Sequence, residues 1–143
     1  MKRQRYGRVV LTSSGRALFA EYTLPELSGY AIGKMAQIGL MHALNANGAG
    51  FGILVNTIVP VAATRMLRRQ VAPQEMRPEQ VAPGVAFLAS QECKVSGVIL
   101  LANNGLFSTI RWQESSEINF GSEPASPEAI AEQWEKLKAF PDS

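Results

Sequence analysis

A chain of 143 residues is the size of one domain, and its formal net charge of +2 is too small to indicate a nucleic-acid or membrane partner. Its composition, 46% apolar and 18% charged, is typical of a globular protein, and no apolar run reaches the roughly 18 residues that span a membrane. The single cysteine, Cys93, excludes an internal disulfide, and residues 1–16 hold no apolar stretch long enough for a signal peptide, so we expect a cytoplasmic protein.

Histidine and aspartate are nearly absent from the sequence. His42 is the one histidine, and Asp142, next to the C-terminus, is the one aspartate. A Ser-His-Asp triad would need that terminal residue, and a His/Asp metal cluster cannot be assembled. The composition therefore disfavours hydrolases and metalloenzymes, and any chemistry must come from Ser, Thr, Tyr, Lys, Arg, Glu, Asn or backbone groups.

The first half of the chain contains a predicted strand and a long predicted helix. The stretch "RVVLTSS" (8–14) is a β-branched apolar run that ends in small polar residues, as a buried strand does where it leaves a sheet. A helix is predicted from Tyr30 to about Asn47, where Gly and Asn residues end it. Its core face is predicted from apolar residues at three- and four-residue steps: Ile32, Met35, Ala36, Leu40, Ala43 and Leu44.

The second half repeats this alternation of strand and helix. The stretch "ILVNTIV" (53–59) predicts a strand closed by Pro60, and "GVILLA" (97–102) predicts a third strand. Between them a helix is predicted over residues 78–90. Its buried face is predicted to hold Val81, Val85 and Leu88.

The composition changes at Arg111, where a polar stretch begins. Ser126 can cap a terminal helix and Pro127 can open it. We therefore divide the chain into residues 1–110 and a tail of residues 111–143.

Apolar strands that alternate with helices predict an α/β fold with a parallel sheet covered by helices on both faces. In such sheets, ligands bind beyond the carboxyl ends of the strands. Ser13 and Ser14 follow the first strand here, and Pro60 follows the second. Tyr30 opens the helix after the first strand, so we expect it near the same edge.

Tyr30 and Lys34 are neighbours on the predicted helix, because residues four apart share one face. A free tyrosine has a pKa near 10, and lowering that pKa to near 7 requires about 4 kcal/mol. An ammonium at ~4 Å supplies about 4 kcal/mol at an effective dielectric of about 20, and about 1 kcal/mol in bulk water. The pair can act as an acid and base only in a sheltered site, where Ser14 could hold a substrate oxygen; otherwise both are solvated side chains.

Five segments of the chain, in this order, resemble the later half of the short-chain dehydrogenase/reductase family. The segments are "GRVVLTSS", "YAIGKMAQIGLMHAL", "ILVNTIVPVAATRM", "PEQVAPGVAFLAS" and "VSGVILLANNG". They cover residues 7–108. In its finer sequence details, including the tail "SPEAIAEQWEKL", the chain is similar to the 3-hydroxyacyl-CoA dehydrogenase part of multifunctional β-oxidation enzymes.

The resemblance implies a partial Rossmann-like sheet and a set of site residues. Ser14 would hydrogen-bond the substrate oxygen, Tyr30 would donate or accept the proton, and Lys34 would hold the nicotinamide ribose. The cofactor-binding set would be Tyr30, Lys34, Pro60, Val61 and Thr64. The implied reaction is hydride transfer between NAD or NADP and a secondary alcohol or ketone, with an acyl-CoA as one substrate class.

Departures from the family pattern bear on that activity. Ser14 and Tyr30 are further apart than in the family, Val61 follows Pro60 where many relatives have glycine, and "NNG" replaces a Gly-Gly turn. The glycine-rich phosphate loop, the residue that reads the adenosine ribose and the asparagine expected before Ser14 have no counterpart. The resemblance therefore implies a truncated, C-terminal half of the fold, with residues 8–13 as an unpaired apolar edge.

Two functions of different classes remain open. The chain is an oxidoreductase, active when the other half is supplied, or it is a non-catalytic remnant that oligomerises through its edge and first helix. Arg65, Arg68, Arg69 and Arg77 fit the phosphates of CoA or NADP, or a solvated loop. We expect a small-molecule substrate and a homo-oligomer, and neither nucleic acid nor membrane as partner.

Overall fold

The computed structural model describes residues 1–64, 72 and 74–141. The chain separates into two compact units, Met1–Ile110 and Arg111–Ser143. The first unit is an α/β sheet structure, and the second contains two short helices, α4 (Pro127–Glu132) and α5 (Trp134–Leu137). The Oγ of Ser126 accepts a hydrogen bond from the amide of Ala129, so this serine caps α4 as the sequence predicts.

In the part of the chain that the structure describes, four strands form one sheet in the order in which they occur: β1 (Gly7–Thr12), β2 (Ile53–Val61), β3 (Ile99–Asn103) and β4 (Leu106–Ile110). β1, β2 and β3 run parallel, whereas β4 is antiparallel to β3. The predicted α/β class and the three parallel strands are confirmed. Among the described strands β1 lies at one edge of the sheet and β4 at the other.

The fourth strand was not predicted from the sequence. Asn103 pairs with Leu106, and the two residues between them, Asn104 and Gly105, have φ values of 50° and 79°. Two successive positive φ values are the conformation of the two-residue hairpin turns that favour Asn-Gly. The dipeptide at 104–105 was therefore the available signal for a hairpin.

The described residues of the first unit form three helices: α1 (Gly15–Leu18), α2 (Ser28–Gly48) and α3 (Ala82–Ala89). Single 3₁₀ turns lie at Ala20–Tyr22, Pro25–Leu27, Ala49–Phe51 and Pro78–Gln80. None of the described helices has both the length and the apolar character needed to cross a membrane.

The core consists of two clusters, one on each face of the sheet. On one face α2 packs Ile38 and Met41 against Val55, Val59 and Ile99. On the other face the cluster beneath α3 contains Ile58, Val81, Leu88, Cys93 and Ala102. Helices therefore cover both faces, as parallel strands with apolar side chains on both sides require.

The predicted core face of α2 is wrong at most of its positions, although Leu44 is half-buried and packs against the cluster of Ile38 and Met41. Ile32 is 70% exposed and Leu40 is 44% exposed, whereas Ile38 and Met41 are buried. Apolar and small residues surround most of this helix, so spacing alone does not identify which stripe meets the sheet. The buried stripe extends towards the helix start through Lys34 and Tyr30, which are both half-buried. In α3, Val85 is likewise exposed rather than buried.

β2 continues through Pro60 to Val61, two residues beyond the predicted end. The amide of Ser13 donates to the carbonyl of Ile58 at 2.9 Å, so the backbone polar groups of Ile58 point towards β1. Those of Pro60, two residues later, point the same way. A parallel ladder would next run from the amide of residue 60 to the carbonyl of Ser13, and proline has no amide hydrogen. Pro60 is tolerated because β1 has already ended at Thr12.

Asn56, fully buried in β2, fixes the loop that leads into β3. Its Nδ2 donates to the carbonyl of Val95 at 2.9 Å, and its Oδ1 accepts from the amide of Val98 at 2.9 Å. The side chain thus satisfies one backbone acceptor and one backbone donor that are partly shielded from water. Loss of both bonds would leave these groups unsatisfied.

We expect Asn56→Leu, which keeps the number and branching of the side-chain heavy atoms, to lower the free energy of unfolding by about 2 kcal/mol because a partly buried donor and acceptor lose their partner. Urea denaturation followed by circular dichroism measures this change. Asn47→Leu is the matched control, since Nδ2 of Asn47 donates to Ala43 in an exposed setting, and its effect should stay within about 0.5 kcal/mol. Equal effects of the two substitutions would contradict the assigned role of Asn56.

Candidate active site

The candidate site lies where β1, β2 and β3 end. β1 ends at Thr12, β2 at Val61 and β3 at Asn103, and parallel strands place these carboxyl ends at one edge of the sheet. The polar residues Ser13 and Ser14 follow β1 directly. α2 packs across β1 and β2 and presents its first turns towards the same edge.

Ser14 caps the short helix α1. Its backbone is extended, and its Oγ accepts a hydrogen bond from the amide of Arg16 at 3.3 Å. A serine hydroxyl has one donor and two acceptor positions, so this contact leaves the O–H hydrogen and one acceptor position for another group. Half-buried Ser14 can therefore donate to a carbonyl oxygen or accept from an alcohol.

Tyr30 and Lys34 lie on the same side of α2. The Nζ of Lys34 is 5.8 Å from the centroid of the Tyr30 ring, within the roughly 6 Å range of a cation–π contact. The same ammonium donates a hydrogen bond to the carbonyl of Thr12 at 3.1 Å. The predicted adjacency of phenol and ammonium is thus present, with the cation beside the ring and bonded to the end of β1.

Ser13 makes the contacts that the sequence reasoning missed. It is 2% exposed, and its Oγ donates to the carbonyl of Lys34 at 2.8 Å. The available signal was strand alternation, since Val9, Leu11 and residue 13 share a face and the first two pack in the cluster beneath α2. Residues 12 and 13 together therefore bond both the backbone and the ammonium of Lys34.

The residues predicted to contact the cofactor lie at the end of β2 and just after it. Pro60 pairs with Ala102 and Val61 with Asn103, and both residues are half-buried. Thr64 lies in an exposed bend three residues further on. Pro60 and Val61 thus lie at the same sheet edge as the end of β1, although their roles remain predictions.

The segment around Met76 returns to this edge. The amide of Ala63 donates to the carbonyl of Met76, and the amide of Met76 donates to Oδ1 of Asn104 at 2.8 Å. These bonds connect the segment after β2 to the β3–β4 turn. The predicted phosphate contacts at residues 65, 68 and 69 lie outside the described residues, and Arg77 is exposed.

The donor groups at this edge fit the nicotinamide end of NAD(P). An ammonium carries three N–H donors, and the carbonyl of Thr12 takes one from Lys34, so others can reach ribose hydroxyls. The phenol of Tyr30 and the hydroxyl of Ser14 can each bond a substrate oxygen. For the adenosine phosphates, the 143 residues contain no G-x-G-x-x-G between a strand and a helix, so this fit covers the nicotinamide end alone. Across the described parts of the chain, no group of three His, Cys, Asp or Glu residues is placed to hold a metal ion.

The chain is similar to known enzymes over almost its whole length. It is 33% identical to the peroxisomal hydratase-dehydrogenase-epimerase of Saccharomyces cerevisiae, over 99% of this chain and 16% of that enzyme. It is 30% identical to a short-chain type dehydrogenase/reductase of Mycobacterium tuberculosis, over 95% of this chain and 47% of that protein. No protein-family model matches the chain.

The fold has counterparts among solved structures. A short chain dehydrogenase from Mycobacterium avium superposes with a TM-score of 0.72 and 25% sequence identity, over 92% of this chain and 46% of that one. The chain thus spans less than half the length of each of these three proteins. The predicted resemblance is confirmed over residues far beyond the segments that first indicated it.

Proposed function

Because this chain belongs to the short-chain dehydrogenase/reductase family, we propose that it carries the proton-transfer site of an NAD(P)-dependent oxidoreductase. The homologues include dehydrogenases, which supports the oxidoreductase class. The observation that carries the proposal is the placement of Ser14 at the end of β1, with Tyr30 and Lys34 on the adjoining turns of α2.

Each of the three residues has a distinct role in this proposal. The O–H of Ser14 orients the substrate oxygen by a hydrogen bond. Tyr30 gives its proton to that oxygen during ketone reduction and takes it back during alcohol oxidation. Lys34, whose Nζ lies 5.8 Å from the ring centroid, places a positive charge beside the phenol and offers N–H donors to ribose hydroxyls. NAD or NADP, when bound, would supply or accept the hydride.

A 3-hydroxyacyl thioester is the substrate class that we propose. Its C3 carries the secondary alcohol that this reaction requires. Two supports are the similarity to a hydratase-dehydrogenase-epimerase and the exposed guanidinium of Arg77 near the same sheet edge, where it could meet CoA phosphates. The location of this protein in the cytoplasm stays a prediction. The peroxisomal location is that of the Saccharomyces cerevisiae relative.

We expect Tyr30→Phe to lower the rate of NAD(P)-dependent oxidation of a 3-hydroxyacyl-CoA by at least about a hundredfold, because general acid–base catalysis contributes about 10²–10⁴. NADH or NADPH absorbance measures the rate. The chain is assayed alone and co-expressed with the segment that precedes the matched region in the M. tuberculosis relative.

Tyr22→Phe is the matched control for this experiment. Tyr22 is 57% exposed and its ring contacts Phe19 edge-on, so the loss of its hydroxyl should leave the rate unchanged. An undiminished rate in Tyr30→Phe would refute the proton-transfer role. No oxidation in either preparation would favour the non-catalytic alternative.

We further propose that the 143-residue chain by itself binds the dinucleotide weakly. The described site offers donors for the nicotinamide end, while Val9, Val10 and Leu11 of edge strand β1 are only half-buried, so the site is partly open to water. We expect calorimetric titration with NADH to give a dissociation constant well above the micromolar range. Micromolar binding would contradict this expectation.

A second copy of the chain is the partner that we propose for α2. The side of this helix that faces away from the sheet is apolar or small at four successive steps, Ile32, Ala36, Gly39 and Ala43, and all four residues are exposed. Exposed Met35 and Leu40 flank this stripe. An uncharged helical stripe of this kind suits isologous packing against its own symmetry mate. The non-catalytic alternative would rest on the same contact.

Ile32→Glu should weaken self-association by at least about tenfold, because dimerisation would then bury an unpaired carboxylate. Sedimentation velocity over a range of concentrations measures the change. Val95→Glu, at a side chain that is 47% exposed and does not belong to the α2 stripe, is the control and should leave association unaltered. A monomeric wild-type chain at high concentration would exclude this interface.

A further inference from the structure

The first turns of α2 carry Tyr30 and Lys34 but have little apolar anchorage. None of residues 28–34 is fully buried, and the fully buried residues of the helix are Ile38, Met41 and Gly48. No side chain caps the start of the helix, since Leu27 occupies the cap position. Something other than core packing must therefore fix where these turns lie relative to β1.

Ser13 makes the most deeply buried polar contact to these turns. Its amide donates to Ile58 of β2 at 2.9 Å, and its Oγ donates to the carbonyl of Lys34 at 2.8 Å. The serine is thereby bonded to the central strand on one side and to α2 on the other, with 2% of its surface exposed. A hydrogen bond allows only a narrow range of distances and angles. This bridge therefore fixes the position of the Lys34 backbone relative to the end of β1.

The neighbouring carbonyl completes the constraint. Thr12 accepts a hydrogen bond from the Nζ of Lys34 at 3.1 Å, and this bond can form only while the backbone of Lys34 stays within reach of the end of β1. The ammonium in that position lies 5.8 Å from the centroid of the Tyr30 ring. One buried hydroxyl thus connects the end of a strand to the placement of a charge beside the phenol.

We propose that Ser13 is a positioning residue: it holds Lys34 so that the ammonium bonds Thr12 and stays beside Tyr30, and it does not itself touch the substrate. The catalytic consequence rests on the proposed function, whereas the placement of Lys34 does not. A serine that merely fills space would leave the ammonium of Lys34 in the same environment when its hydroxyl is removed.

The test measures the reactivity of the side-chain nitrogen of Lys34. The quantity is the rate at which trace amounts of an acetylating reagent modify Lys34 in the purified chain. Peptide mass spectrometry compares Lys34 with exposed Lys136 as the internal reference. We expect Ser13→Ala to raise the relative acetylation rate of Lys34 by about fivefold, the factor that corresponds to one lost hydrogen bond. Ser13→Thr, which keeps a hydroxyl donor, should restore the slower rate.

Ser28→Ala is the matched control. The Oγ of Ser28 also donates to a backbone carbonyl, that of Pro25 at 3.3 Å, but in an exposed position at the start of α2. Its removal should leave the acetylation of Lys34 unchanged. An unchanged Lys34 rate in folded Ser13→Ala, with folding checked by circular dichroism, would overturn the proposal.

A fallback variant and two combined results separate the positioning role of Ser13 from the proposed function. If Ser13→Ala does not fold, Ser13→Val, which has the shape of the threonine variant but no donor, takes its place, and wild-type acetylation in that variant overturns the proposal. If Lys34 acetylation rises while Tyr30→Phe leaves oxidation unaltered, the positioning role stands and the proposed function fails. If oxidation depends on Tyr30 but Lys34 acetylation is insensitive to Ser13, the positioning role alone fails.

Discussion

The burial of β2 on both faces and both edges is the constraint on which this structure depends. Val55 and Val59 meet α2 on one face, Ile58 meets the cluster beneath α3 on the other, and the strand pairs with β1 and β3 at its two edges. Such a strand has no solvent to satisfy its polar groups, so its side chains and backbone must find partners within the protein. The positions of the neighbouring elements follow from those partners.

The polar residues of β2 show how this constraint extends to the site. Thr57 bonds the sulfur of Met41 and so fixes the middle of α2, while Asn56 bonds the loop at 95–98. The carbonyl of Ile58 takes the amide of Ser13, and Ser13 in turn bonds Lys34. A chain of hydrogen bonds thus runs from the most buried strand to the backbone of half-buried Lys34, and the ammonium of Lys34 bonds the carbonyl of Thr12.

Spacing and composition predicted the elements that repeat a simple period. The three parallel strands are apolar runs bounded by Gly, Pro or small polar residues, and the positions of Tyr30 and Lys34 on one helical face follow from the helical repeat alone. The buried side of α2 could not be predicted, because Ile32 and Ile38 are equally apolar and only the docked sheet distinguishes them. β4 was missed although Asn104-Gly105 is a strong turn signal, since its strand "LFSTI" leaves most side chains exposed and lacks a clear apolar face.

The site residues also divide into those that the sequence indicates and those that only the folded chain shows. Ser14, Tyr30 and Lys34 carry groups whose chemistry is visible in the sequence, so their types and order suffice to indicate them. Ser13 acts through a contact between residues 21 positions apart, and such a contact exists only once β1 and α2 are packed together. Strand alternation could have placed its side chain towards the helix, but not its bond to the carbonyl of Lys34.

The missing amide hydrogen of Pro60 has a consequence for the carboxyl edge of the sheet. Pro60 cannot donate the next hydrogen bond of the β1–β2 ladder. The ladder therefore cannot continue past Ser13, whatever residues follow β1. β1 ends at Thr12 and the chain turns into α1, which leaves the hydroxyl of Ser14 at this edge of the sheet. The end of the ladder between the first two strands is therefore set by the covalent structure of one imino acid, and a change in side-chain packing would not extend it.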